Sequence, residues 1–207
     1  MSLAQSMATF LASASQCDSL IANAHQTNAA GIALLPPLDQ RQITGAAFLN
    51  LFVGWETFLE ETITKLMAGA STVSGRIPVR YVSPPTVEAA KLLVIGVQRY
   101  FDYGKHDNVR RLVGMYFDHG YPFEPHLSAI NTDLADLRTM RNASAHLSST
   151  TQAALESLAQ RIFATPRPGI DLYSLLTSVD PRTATGDTVF ANCRQKLVVV
   201  AELVANG

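Results

Sequence analysis

The stretch AAFLNLFVGWETFLEETITKLM, residues 46–67, decides the fold class of this chain. Phe48, Leu51, Phe52, Trp55, Phe58, Leu59, Ile63 and Leu66 recur every three or four residues. That period matches the turn of an α-helix and predicts one amphipathic helix of about six turns, beginning at Asp39 or Gln42 and ending near Met67. Gly69 then offers the residue type that closes a helix.

The same reading extends in both directions. Residues from about Ser2 to Asn28 are rich in Ala, Ser and Leu without Pro or Gly, which favours a helix broken by Gly31 and Pro36-Pro37. Residues 70–85 hold Pro78, Pro84 and Pro85 among Ser, Thr and Gly, an irregular connection. Ser83 before the proline pair is placed to start a helix over Thr86 to Tyr103, and a shorter one is expected from Asn108 to Phe117. After the breaks at Gly120, Pro122 and Pro125, one stripe runs through Leu127, Ile130, Leu134 and Leu137 and reaches Arg141. Ser149-Thr150-Thr151-Gln152 has the form of a capping box and starts another helix. Residues 166–186 carry Pro, Gly and Asp and read as a loop before a final helix over Thr188 to Val204. The expectation is an all-α helical bundle in a single domain over residues 1–207, with 70–125 as an insertion.

Composition bounds the function. The chain has 207 residues, 47% hydrophobic and only 16% charged, with a formal net charge of −1. So little charge suggests an apolar surface covered by a partner, most simply a second copy. The charge balance argues against a general nucleic-acid coat protein, whereas a nuclease needs only a local basic patch. Cys17 and Cys193 lie far apart with no zinc-ligand spacing, and read as two reduced thiols. No apolar run approaches the length of a membrane span and the first 16 residues lack a basic start, so a cytoplasmic location without membrane attachment is expected. No Walker loop, GxSxG, GxGxxG or HExxH occurs. His119 and His126, with Asp118 and Glu124 nearby, lack helical ligand spacing, so neither a metal nor a cofactor is implied.

The chemistry-bearing motif is Arg141-Asn142-Ala143-Ser144-Ala145-His146. It sets a permanent guanidinium, an amide and an imidazole within about one and a half helical turns. A guanidinium can grip a phosphate, and an imidazole moves protons near neutral pH. Arg99 and His106 repeat the spacing loosely, but Tyr100 follows that Arg and Gly104 interrupts the segment. On a straight helix, residues five apart point about 140° from each other. Arg141 and His146 therefore meet at one point only if the helix bends or if two subunits share a site.

The Arg-Asn-x3-His pattern, set after an amphipathic helix, resembles the signature of the HEPN family of small helical domains, many of them RNases of toxin–antitoxin and antiviral systems. The resemblance covers residues 42–67 and 127–163 best. It implies a metal-independent endoribonuclease with RNA as substrate, acting as a homodimer whose two motifs meet in one cleft. It also implies an antitoxin or other protein partner. Arg141 would be the phosphate clamp, Asn142 the orienting residue and His146 the general acid or base, with Glu56 supporting them from the apolar helix. The alternative is a non-catalytic dimerisation or nucleotide-binding module. The segment 76–111 is locally basic with interleaved tyrosines, so Arg99, Lys105, Arg110 and Arg111 are candidate RNA contacts.

Overall fold

Helices account for all the regular structure in the computed structural model, which describes residues 2–145 and 148–207. Among those residues the order is α1 Ala4–Ala24, α2 Pro37–Met67, α3 Val87–Ile95 and α4 His106–Tyr116, then a 3-10 turn over Asp118–Gly120. The chain continues through α5 Glu124–Ala129, α6 Asn131–Ala145, α7 Ser149–Phe163, α8 Leu172–Thr177 and α9 Val189–Asn206. The all-α expectation therefore holds. No described helix is long and apolar enough to cross a membrane.

The chain divides into two compact units interleaved along the sequence. The first takes Met1–Ala12, Gly54–Leu134 and Lys196–Gly207, and the second takes Ser13–Val53 and Ala135–Gln195. Segment 70–125 lies wholly in the first, and α1, α2, α6 and α9 each give residues to both.

In the first unit, Phe10, Trp55 and Phe58 form an aromatic cluster with ring centroids 5.5–5.9 Å apart. Trp55 is fully buried, and its indole N–H finds a partner in His106 Nε2 at 3.2 Å. A short extended pairing closes the unit: Tyr81 N–H donates to the Tyr116 carbonyl, and Asp118 N–H to that of Val79. In the second unit, Phe48, Leu51 and Phe52 of α2 are buried, as are Leu155 and Leu158 of α7. Each such side chain contributes about 1.5–3 kcal/mol through burial.

Five local readings change. The helix expected over Thr86 to Tyr103 stops at Ile95, because Gly96 takes φ 59° and ψ −127°, a conformation that favours glycine. Its cap at the start is Thr86, whose hydroxyl accepts from Ala89 N–H, rather than Ser83. The stripe from Leu127 to Arg141 is split, since α5 ends at Ala129 and α6 begins at Asn131. Inside the stretch read as loop, Asp171 caps the two-turn α8, which buries Leu175 and Leu176. The capping box of α7 is real but sits one residue earlier, between Ser148 and Thr151.

A buried carboxylate holds the end of that loop. Asp180 is fully buried and accepts from the Arg182 guanidinium at 2.7 and 2.9 Å and from the Asn192 amide at 2.7 Å. Burial pushes its carboxyl up, but these bonds outweigh that and hold it at about 2, below the ordinary 3.8. A depressed carboxyl favours the folded state fully above its unfolded value and loses that effect as pH falls toward the folded one. Stability should therefore drop as pH falls from about 4 to about 2, read by urea denaturation across that range. Asp180→Asn should flatten that part of the profile and cost about 1.5–3 kcal/mol at neutral pH.

Candidate functional site

The motif lies on α6, described as far as Ala145. Leu134, Leu137 and Met140 bury one face of this helix, which fixes its rotation and leaves Arg141 and Asn142 half-buried beside them. Ser144, one turn beyond Arg141, donates its hydroxyl hydrogen to the Arg141 carbonyl at 2.7 Å. His146, the proposed proton carrier, lies outside the described residues, as does Leu147.

Arg141 differs from the other half-buried arginines in what surrounds its charge. Arg110 is clamped on Glu124 through two nitrogens, and Arg194 faces the Asp18 carboxylate at 2.7 Å. Arg80 donates to Ser83 and to the Leu66 carbonyl. Among the described residues Arg141 has neither a carboxylate nor a side-chain hydrogen-bond partner. A partly desolvated guanidinium in that condition has its donors available for an anion.

The other candidates belong to the other compact unit. Arg141 and Asn142 belong to the second unit, whereas Glu56, half-buried on α2, belongs to the first. Arg99, Lys105, Arg110 and Arg111 are also in the first unit. Arg99, Lys105 and Arg111 are exposed, while Arg110 is committed to Glu124, an ion pair that ties α4 to α5. Of the interleaved tyrosines, Tyr81 and Tyr100 are exposed. Tyr103 is buried, and burial first, then the nearby Glu60, push its phenol up, so it offers no stacking face.

Sequence reasoning missed a cavity of about 540 Å³ in the second unit, beside the motif. Arg41, Gly45 and Leu49 of α2 line it, with Ser144 of α6, Leu155 of α7, and Asp171 and Tyr173 at the start of α8. Arg41 pairs with Asp171 Oδ2 and lies over the Tyr173 ring, 5.0 Å from its centroid. Asp171 Oδ1 accepts from Ser174 N–H at 2.7 Å. His25 stacks on the other neighbour of this group: its ring is 5.9 Å from that of Tyr173 and inclined by 11°. His25 Nδ1 donates to the Ile21 carbonyl at 2.8 Å, its Nε2 lies 3.1 Å from the Tyr173 hydroxyl, and that hydroxyl donates to Gln40 Oε1 at 3.4 Å.

Gly45 is the residue that shapes the cavity. It sits inside a long helix, where glycine is less favourable than alanine by about 0.5–1 kcal/mol. An added Cβ would meet nothing within 4 Å, so close packing does not require glycine there. Gly45→Ala should therefore raise stability by that amount in a denaturant titration, and a loss instead would show a packing role.

No protein-family model, no curated protein and no solved structure matches this chain.

Proposed function

We propose that this chain is a metal-independent endoribonuclease of the HEPN type, working as a homodimer in a toxin–antitoxin or phage-defence setting. The observation that carries the reading is Arg141: half-buried, on the motif helix, and without a carboxylate among the described residues. A structural arginine in this protein is tied to an acid or a carbonyl, as Arg110, Arg194 and Arg80 are. Arg141 has the unspent donors that a phosphate requires.

RNA carries its own nucleophile, so no cofactor enters the chemistry. His146 removes the proton of the 2′-hydroxyl, which attacks the adjacent phosphorus. Arg141 holds the equatorial oxygens as negative charge grows on them, and Asn142 orients the group by hydrogen bonding. The bond from phosphorus to the 5′-oxygen breaks, and a protonated imidazole supplies the leaving oxygen with its proton. The products are a 2′,3′-cyclic phosphate and a free 5′-hydroxyl. The second subunit supplies the other copy of the motif, answering the roughly 140° that separates the two side chains on one straight helix. Exposed Arg99, Lys105 and Arg111 would draw in the strand by charge alone.

Purified protein in EDTA should cut single-stranded RNA to cyclic-phosphate ends. Arg141→Ala and His146→Ala should each lower the rate by about 10²–10³, the size of effect expected for one transition-state contact. Equal cutting by all three proteins, or none by the wild type, would overturn the nuclease reading.

A further inference from the structure

We infer that the cavity walled by Gly45, Leu49, Leu155 and Tyr173 takes one unstacked nucleobase of the RNA, the base next to the scissile phosphate. The inference rests on the nuclease reading and adds to it a base subsite with named residues.

Three observations point to a base. The volume of about 540 Å³ lies within the range of small-molecule pockets, about 300–1,000 Å³. The walls expose mostly apolar surface, with one aromatic ring among them, which suits the face of a flat heterocycle. Of the polar side chains at the cavity, Arg41 and Asp171 pair with one another: the Arg41 cation is neutralised by Asp171 and still has spare N–H donors, beside carboxylate oxygens that still have lone pairs. That combination suits a neutral edge carrying both a donor and an acceptor. A free carboxylate would compete with Asp171 for Arg41, a cation would face Arg41, and a pure hydrocarbon would bury the ion pair unsolvated.

Position and shape agree. Ser144 lines the cavity one helical turn from Arg141 on neighbouring positions of the same face, so a phosphate at Arg141 brings its own nucleotide to the cavity. Contacts with His25 and Arg41 hold the Tyr173 ring in place, which preorganises this part of the wall. Gly45 leaves open the space that a side chain on α2 would fill.

The test uses the four uncharged ribonucleosides as probes, titrated into the whole protein and followed by amide NMR shifts. Parallel assays map the cleavage sites on an RNA of mixed sequence. The wild type should bind one nucleoside best, with shifts centred on Gly45, Leu155 and Tyr173, and should cut next to that base. Gly45→Leu, which meets no neighbouring atom at its Cβ, should keep its fold, weaken nucleoside binding at least tenfold and blur the cleavage preference. Arg141→Ala should bind nucleosides like the wild type, because they carry no phosphate. If nucleosides move no cavity resonance, or Gly45→Leu binds and cuts like the wild type, the base site is overturned while Arg141-dependent cleavage stands. If nucleosides bind in the cavity and the wild type cuts no RNA, the base site is upheld and the nuclease reading falls.

Discussion

Everything in this protein leans on the buried stripe of α2. Over its 31 residues the helix contributes Phe48, Leu51 and Phe52 to one unit and Trp55, Phe58, Leu59 and Ile63 to the other. Eight or so large apolar side chains on one helix face, at about 1.5–3 kcal/mol each, set its rotation about its own axis. With that rotation fixed, the remaining positions have little choice. Arg41, Gly45 and Leu49 are turned toward the cavity of the second unit. In the first unit, Lys91 of α3 pairs with Glu60 at 2.8 Å, and Glu61 is shared by Lys65 and the Ser6 hydroxyl.

Polar pairing then decides which arginines are available. The second unit spends Arg182 and Asn192 on the buried Asp180, and Arg161 on the nearly buried Asp136. Such pairs offset the cost of burying a carboxylate and are expensive to break from one side. The first unit spends Arg110 on Glu124. A phosphate-binding arginine must escape this pairing, and Arg141 does so while half withdrawn from water. That separation of structural from available charge is what the proposed chemistry draws on.

How far the sequence carried follows from length and period. The helices α2, α4, α7 and α9 were readable because ten or more residues repeat an apolar pattern at 3.6. The end of α3 was not, because Val97, Tyr100 and Phe101 continue an apolar look while Gly96 turns the backbone; Val97 and Tyr100 are in fact exposed. Two turns are too few to show a period, so α8 hid inside a Pro- and Gly-rich stretch, although Asp171 as its cap was a usable signal. Of the candidate site, the Arg141 to Ser144 segment was legible as a local motif. The cavity was not, because Arg41 and Asp171 stand 130 residues apart and meet only through the fold. Gly45, one of two glycines inside an otherwise strong helix, was the hint of it.

The central claim is that Arg141 holds the phosphate that reacts. It is tested most directly with a short RNA whose 2′-hydroxyl is replaced by hydrogen, so that it binds but cannot be cut, titrated into protein with nitrogen-labelled arginine side chains. The account predicts that the Arg141 Nε–H resonance shifts and saturates with added strand, while those of Arg110 and Arg194, already paired with carboxylates, stay in place. An Arg141 resonance that does not move while the strand binds elsewhere would contradict it.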